Sequence, residues 1–204
     1  LVVRAYSIVS SPYDETLEFF SIVVPDGAFT SNLQHLQVGD ELYLEKIPYG
    51  FLTLARYQLP LPQDLWLLAT GTGLAPFISM LQDFATWENY QQIYLVYSVR
   101  TVSELAYVKR IEEIASSFGE GHNGFKFVPI ITRDPHAQLH DRLPILIENG
   151  ELEAAVGQQL NAASSHVMLC GNPQMVDDTK EALKRRGLTM NRRGEGNIAV
   201  ENYW

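Results

Sequence analysis

The residue types that most directly suggest ligand binding are the glycines of Gly71–Gly73. The apolar run Trp66–Ala69 precedes them, and Leu74–Pro76 follows at the start of an amphipathic segment. This order predicts a buried strand, a tight turn and the first turn of a helix, where free N–H groups favour a phosphate. Pro76 suits that turn, because the N–H that proline lacks would have no partner there. The spacing is GxGxxP and not the full dinucleotide fingerprint GxGxxG, so a strand-to-helix turn without a ligand stays the alternative.

A second group with chemical potential is Arg4, Tyr6 and Ser7, at the end of an early β-like segment. They place a guanidinium, a flat ring and a hydroxyl close together, and a guanidinium can bind a phosphate through two parallel hydrogen bonds. An ordinary surface strand explains this stretch equally well when it is taken alone.

Arg100 bears on the choice of nucleotide. Sites specific for NAD usually carry a carboxylate at the end of the second strand, against the ribose hydroxyls. Here the second predicted parallel strand ends at Arg100, and no Asp or Glu occurs before Glu104. A guanidinium at this position suits a 2′-phosphate and, together with Arg133 and Arg142 further along the chain, favours NADPH over NADH; any one of the three taken alone is equally well explained as a solvated Arg.

Composition limits the class of protein. The chain has 204 residues, 46% of them hydrophobic and 19% charged, which is typical of a globular protein with a real core. The formal charge of -9 argues against nucleic acid or an anionic membrane as the main partner. A single Cys excludes an internal disulfide and an iron–sulfur cluster held by this chain alone. Without an apolar run of about 20 residues or a visible signal peptide, we expect a cytoplasmic protein.

Two patterns divide the chain near Pro60. Before it, apolar and polar residues in short runs predict strands over residues 1–9, 17–24, 41–47 and 51–54, with a short helix at 30–36 between them. Short strands separated by turns suggest a small barrel or sandwich. Since the chain starts without Met and already in a strand-like pattern, we expect a barrel that lacks its first strands. We therefore predict two domains, residues 1–60 and 61–204.

The second part alternates strands with helices, which predicts a parallel sheet with crossover helices. Strands are expected at 65–69, 93–99, 125–132, 166–170 and 197–200, and the main helices at 76–87, 103–118, 143–149 and 173–186. Thr101 and Glu104 have the spacing of a capping box before the second of these helices.

Five motifs occur in a characteristic order: RAYS at 4–7, VPDG at 24–27, LATGTG at 68–73, SHVMLCGNPQMV at 165–176 and ENYW at 201–204. With them, essentially the whole chain resembles the bacterial ferredoxin (flavodoxin)–NADP reductase family. The resemblance implies an N-terminal antiparallel β-barrel that binds FAD and a C-terminal α/β domain with a parallel sheet that binds NADP.

The resemblance also implies roles for residues around FAD. Arg4 would pair with the pyrophosphate, Tyr6 would lie on the isoalloxazine ring, and Ser7 would hydrogen-bond near flavin N5. Tyr203 would pack near the flavin and Trp204 against the adenine. The residues implied to bind FAD are Arg4, Ala5, Tyr6, Ser7, Phe20, Ala28, Phe29, Thr30, Ser31, Thr70, Tyr203 and Trp204.

On the NADP side, the resemblance implies that Arg133 and Arg142 complete a cationic pocket with Arg100. Cys170 would lie beside the nicotinamide, and Glu201 would have a polar or proton-relay role. Together with Ser7, they are the implied catalytic residues, although a strand-end Cys that packs as a small hydrophobe is equally plausible. The residues implied to bind NADP are Gly71, Thr72, Gly73, Arg100, Arg133, Arg142, Gly171, Asn172 and Pro173.

The predicted function is a flavoenzyme that transfers electrons between NADPH and a one-electron carrier, by hydride exchange between nicotinamide C4 and flavin N5. The expected partners are ferredoxin or flavodoxin, bound by a monomer. Because such carriers are usually acidic, the basic residues Lys184, Arg185, Arg186, Arg192 and Arg193 are the candidate docking face. His136 and His140 are four residues apart, but their loop-like surroundings predict no metal site.

Three alternatives stay open at this point. The first is a flavin-dependent reductase of the same superfamily that serves a haem protein or an oxygenase. The second is a non-catalytic flavin- or nucleotide-binding regulator on the same scaffold. The third is a plain α/β interaction domain.

Overall fold

The mostly apolar segments of the second part form a five-stranded parallel sheet. A computed structural model describes residues 2–57, 62–119 and 124–202. The strand order is β3-β2-β1-β4-β5, and every neighbouring pair is parallel. The strands are β1 (Asp64–Thr70), β2 (Gln92–Val99), β3 (Phe125–Ile131), β4 (Ser165–Gly171) and β5 (Ile198–Asn202). The predicted parallel sheet is therefore confirmed.

Helices cover both faces of this sheet. In chain order the helices are α1 (Thr30–Leu33), α2 (Ala75–Leu81), α3 (Phe84–Asn89), α4 (Val108–Phe118), α5 (Leu143–Glu148), α6 (Glu151–Val156) and α7 (Pro173–Arg185), and α2 to α7 are those that pack on the sheet. Short 3-10 helices occupy Leu54–Arg56, Gly71–Leu74 and Val102–Glu104. Among the residues described, none of the helices combines the length and the apolarity needed to cross a bilayer.

The alternation of side chains along β1 shows why both faces must be covered. Leu65 and Leu67 pack into one buried cluster with residues of α2, α3 and α4. Trp66 and Leu68 point the other way, into a second cluster with residues of α5, α6 and α7. A strand that is apolar at every position is stable only between two layers, as the uninterrupted run predicts.

Two of the predicted helices start or end elsewhere. The helix expected over 76–87 is interrupted at Asp83, whose carboxylate caps α3 by accepting a hydrogen bond from the Ala85 N–H at 3.0 Å. The helix expected over 103–118 begins only at Val108, because Tyr107 has a φ of 60°, in the left-handed region. The expected capping box forms only in part: the Thr101 side chain makes no capping hydrogen bond, whereas the Glu104 carboxylate lies close to the Thr101 N–H.

The strands expected before Pro60 do not form within residues 2–57. The one ladder contact there is a single antiparallel bridge between Ile8 and Phe19. A strand requires a hydrogen-bonded neighbour, and the apolar side chains of Leu17, Ile22 and Leu44 are exposed, without a surface that covers them. The predicted strands are therefore not formed in the structure of these residues, which does not show an N-terminal barrel.

Residues 7–20 are nevertheless held firmly against the sheet domain. The buried Gln82 donates from Nε2 to the Val9 carbonyl at 3.0 Å, and Ser79 Oγ donates to the Ser10 carbonyl at 2.8 Å. The Tyr107 hydroxyl donates to Glu18 Oε1 at 2.7 Å. These contacts fix the segment that carries Ser7 next to the carboxyl end of the sheet.

A buried histidine, His166, connects elements at the amino end of the sheet. His166, near the start of β4, stacks on Tyr57 with ring centroids 3.6 Å apart, and its Nδ1 lies 2.9 Å from the Tyr90 hydroxyl. The Tyr57 hydroxyl donates to the carbonyls of Val167 and Asn197. Burial lowers the pKa of His166 to about 4, so the ring is neutral in the folded protein at neutral pH.

This histidine should make stability depend on pH. Its pKa is depressed in the folded state, so the unfolded chain takes up the proton first as the pH falls below 6.5. We expect the free energy of unfolding to fall by up to roughly 3 kcal/mol between these two pKa values and no further below them. Urea unfolding at a series of pH values measures this, and His166→Gln should remove that part of the slope. The exposed His140, replaced in the same way, serves as control; equal slopes in both variants would contradict the assignment.

Candidate functional site

Three strands end together at the carboxyl edge of the sheet and form the floor of the site. Ala69 of β1 pairs with Cys170 of β4, and Cys170 pairs in turn with Glu201 of β5. The Asn172 N–H donates to Thr70 Oγ1 at 3.1 Å, which ties the end of β4 to the end of β1. The predicted residues Thr70, Cys170 and Glu201 therefore lie at neighbouring positions.

Glycines let these strand ends approach each other closely. A Cβ at Gly73 would lie well under 3.0 Å from the Cys170 carbonyl and from the Gly171 Cα. Gly171 has a φ of +140°, and a Cβ there would collide with Thr70 Oγ1. Gly71 has a φ of +52° with open space around it. Gly73 and Gly171 are thus needed for strand-to-turn packing, and Gly71 for its backbone conformation.

Helix α7 begins directly at this edge. Asn172 Oδ1 accepts hydrogen bonds from the N–H groups of Gln174 and Met175, at 3.0 and 3.3 Å, and Pro173 occupies the first turn. An Asn cap followed by Pro is a strong helix start, and the sequence identifies it correctly.

Ser7 faces this edge from the N-terminal segment. Its Oγ is buried and makes no hydrogen bond to any residue the structure describes. Burial raises the pKa of the Glu201 carboxyl, and the neighbouring Ser7 hydroxyl partly offsets this effect. The structure thus brings together Ser7, Cys170 and Glu201, which are far apart in sequence.

One ring contact links two of the stretches implied to bind FAD. The Tyr6 and Phe29 rings have centroids 5.7 Å apart, which brings the RAYS segment next to residues 28–31. Arg4 is exposed and bonds only to the Val3 carbonyl, at 2.8 Å, among the described residues. Ser31 directs both its N–H and its hydroxyl to the Gly27 carbonyl.

The remaining members of that group are placed differently. Thr30 is buried, and its Oγ1 accepts from the Val24 N–H at 2.9 Å. Phe20 packs edge-on against Tyr107, with centroids 5.3 Å apart. The assignments of Tyr203 and Trp204 lie outside the described residues.

Two arginines, Arg100 and Arg133, follow the ends of β2 and β3. The Arg133 N–H donates to the Arg100 carbonyl at 2.9 Å, so the two residues are neighbours across the sheet edge. Arg142 precedes α5 as its N-cap and is exposed. The guanidiniums of Arg133 and Arg142 make no hydrogen bond or ion pair within the described part of the chain.

Arg100 is already paired. Its Nε donates to Glu104 Oε1 at 2.8 Å, and its Nη2 lies 2.5 Å from the same oxygen. Its backbone N–H donates to Glu104 Oε2 at 2.9 Å. This hydrogen-bonded ion pair holds the pKa of the Glu104 carboxyl below its usual range. Glu104 was not among the site residues predicted from the sequence. The available signal was its position four residues after Arg100, a spacing at which two oppositely charged side chains can pair.

Three of the five basic residues proposed for docking, Lys184, Arg185 and Arg186, lie away from this edge. Lys184 pairs with Glu181, Arg185 with Glu148 and Arg186 with Glu153. They lie at the far end of the 13-residue helix α7, about 20 Å along its axis from Pro173.

A polar cavity of about 440 Å³ opens at the opposite, amino end of the strands, lined by Asp64, Gln92 and Phe125 among others. It is separate from the candidate site, since it lies at the other end of the sheet. Ligands of open parallel sheets bind at the carboxyl ends of the strands, so this cavity is not the expected nucleotide site.

The comparisons with known proteins agree with this geometry. The family model for the oxidoreductase NAD-binding domain matches residues 67–181. The ferredoxin–NADP reductase of Pseudomonas aeruginosa is 42% identical over 98% of this chain and 79% of its own length. The flavodoxin/ferredoxin–NADP reductase of Escherichia coli is 39% identical over 100% of this chain and 81% of its own length.

A solved structure supports the same relationship. The ferredoxin NADP+ reductase of Neisseria gonorrhoeae, with bound FAD and NADP, superposes with a TM-score of 0.88 at 36% identity, over 98% of this chain and 79% of that one. The level of identity and the coverage of both chains go well beyond a shared fold. This chain is a member of the flavodoxin/ferredoxin–NADP reductase family.

Proposed function

We propose that this chain carries out the reaction of its family, electron transfer between NADPH and a one-electron carrier, ferredoxin or flavodoxin, through FAD. The observation that carries the proposal is the convergence of Ser7, Cys170 and Glu201 at the sheet edge. When bound, FAD supplies the chemistry that accepts a hydride and releases electrons singly, which no side chain of the protein can do.

The N-terminal residues fit a flavin nucleotide. The buried Ser7 hydroxyl has no partner among the described residues, and such a group is stable only if a ligand or water satisfies it. Arg4 is exposed and free to bind a pyrophosphate, and Tyr6 offers a flat ring beside it. Ala5, Phe20, Thr70 and residues 28–31 would complete the FAD contacts, with Tyr203 and Trp204 as further proposed contacts.

The sheet domain fits NADP. Arg133 and Arg142 are cations without a partner in the described chain, and Arg100 lies between β2 and β3 beside Arg133. They would bind the 2′-phosphate. Residues 71–73 and 171–173 would line the path of the rest of the nucleotide, toward Cys170 at the nicotinamide end.

The three converging residues have separate roles in this proposal. Burial raises the pKa of the Glu201 carboxyl, which favours its protonated form; it would give its proton to Ser7 Oγ as the Ser7 hydroxyl releases its own proton toward the flavin. Ser7 would donate a hydrogen bond at flavin N5. Cys170, fully buried, would set the position of the nicotinamide through the shape of its thiol.

The organisation of the whole chain follows from the same proposal. We assign residues 1–60 to an FAD-binding barrel, in which strand pairing would bury the exposed apolar side chains of 17–24 and 41–47. Residues 61–204 would bind NADP. A monomeric state and a cytoplasmic location stay predictions from the sequence. The carrier would dock near the flavin and not at Lys184–Arg186, which lie at the far end of α7.

An anaerobic titration of the FAD-loaded protein with NADPH and then NADH, followed by flavin absorbance, tests the function. We expect NADPH to bleach the flavin at a concentration at least about tenfold lower than NADH, because one extra charge-assisted contact contributes ~1.4 kcal/mol or more. Arg133→Gln and Arg142→Gln should reduce the difference between the NADPH and NADH concentrations that bleach the flavin. The concentration of NADH required should stay the same. A flavin that neither nucleotide reduces would contradict the proposed reaction.

A further inference from the structure

Glu104 adds a negative charge to the site for which the sequence predicts the cations Arg100, Arg133 and Arg142. Its carboxylate bridges the backbone N–H and the guanidinium of Arg100, at the carboxyl end of β2. A capping box would have turned this carboxylate toward the N–H of its own helix start, at Thr101. It lies close to that N–H as well, but its hydrogen bonds of 2.8 and 2.9 Å come from Arg100, so the site proposed for the 2′-phosphate contains a carboxylate.

This carboxylate reduces what Arg100 can offer to a phosphate. It occupies Nε and Nη2, the guanidinium edge that forms paired hydrogen bonds to carboxylates and phosphates. A 2′-phosphate must therefore bind through the remaining Nη donors or displace Glu104. It also meets a like charge within a few ångströms, which is unfavourable even in a solvated site.

The same carboxylate is suited to the competing nucleotide. An acidic residue at the end of the second strand is the group that accepts hydrogen bonds from the ribose hydroxyls of NAD. Glu104 is about one-third exposed, so a ribose can reach it. The Arg100–Glu104 pair thus presents a cation to a 2′-phosphate and an acceptor to a 2′-hydroxyl.

We propose that Glu104 is a specificity-determining residue that limits the preference of this enzyme for NADPH and permits the binding of NADH. The inference rests on the proposed function, since it concerns the nucleotide site of that reaction. Arg133 and Arg142 keep the net charge of the pocket positive, so NADPH stays the preferred nucleotide. Glu104 sets the size of that preference.

Binding of two nucleotide fragments to the FAD-loaded protein tests this directly. The probes are 2′-phospho-AMP and AMP, measured by titration calorimetry in wild type and in Glu104→Gln. We expect 2′-phospho-AMP to bind about threefold to tenfold more tightly to the variant, less so at high salt, because a nearby like charge is removed. AMP should bind equally or more weakly. The kcat/KM ratio of NADPH to NADH should rise by a similar factor.

Glu112→Gln is the matched control, since it removes one exposed carboxylate from the neighbouring helix α4. It should leave the affinity for both probes unchanged. Unchanged or weaker binding of 2′-phospho-AMP to Glu104→Gln, with wild type binding it normally, would overturn the role of Glu104 alone. If wild type binds neither probe and NADPH does not reduce its flavin, the proposed function itself fails.

Discussion

Replacement of Gly73 by alanine should destabilise the protein by at least about 3 kcal/mol, because the new methyl group would collide with backbone atoms. A Cβ at this position lies well under 3.0 Å from the carbonyl of Cys170 and the Cα of Gly171. Neither atom belongs to a flexible side chain, so β4 would have to move away from the turn after β1. Since this movement displaces Cys170, we also expect reduction of the flavin by NADPH to be lost in whatever fraction still folds.

Gly71→Ala is the matched control, two residues away in the same turn. A Cβ at Gly71 has no atom within 4 Å, and its φ of +52° is one that alanine can adopt at a cost of about 1 kcal/mol. Equilibrium unfolding in urea compares the two variants. If Gly73→Ala is no less stable than Gly71→Ala, the close contact between the turn and β4 is not part of the folded structure.

The sheet domain could be predicted from the sequence because its signals are local. Runs such as Trp66–Ala69 are apolar at every position, which only a strand buried on both faces tolerates. Asn172 followed by Pro173 marks a helix start in the same direct way. For these elements, neighbouring residues alone carry the necessary information.

The N-terminal segments show where this reasoning fails. Residues 17–24 have a high β-propensity, yet propensity does not supply the hydrogen-bonded neighbour that a strand requires. The structure pairs Ile8 with Phe19 and leaves Ile22 exposed. Strand partners are distant in sequence, so the pattern of a single segment cannot specify them.

The residue types of the site could be predicted from the sequence, but the contacts between them could not. Arg100 follows a strand and has the right charge, which the sequence indicates. That Glu104 turns back to it depends on the 3-10 helix Val102–Glu104, and on Tyr107 delaying the start of α4. The regular helix expected over 103–118 did not indicate that Arg100 and Glu104 form a pair. An irregular backbone, which local propensities do not encode, therefore determines the charge of the pocket.

Replacement of Ser7 by alanine should slow hydride transfer from NADPH to the flavin by roughly 10²–10³-fold, the usual effect of removing one preorganised hydrogen-bond donor. Single-turnover reduction under anaerobic conditions measures this rate. Ser10→Ala is the matched control: Ser10 Oγ accepts from the Glu18 N–H at 3.1 Å, so its loss should cost about 1 kcal/mol of stability and leave the rate nearly unchanged. Ser7→Thr keeps the hydroxyl and should restore part of the rate.

The stability of the Ser7 variant separates a catalytic role from a structural one. The Ser7 hydroxyl is buried and unpaired among the described residues, so its removal leaves no donor or acceptor without a partner. FAD-free Ser7→Ala should therefore be at least as stable as wild type, although its hydride transfer is slow. A protein retains a destabilising polar group when activity depends on it. If Ser7→Ala lost stability and kept its rate, Ser7 would be a structural residue and its position next to Glu201 would have no catalytic role.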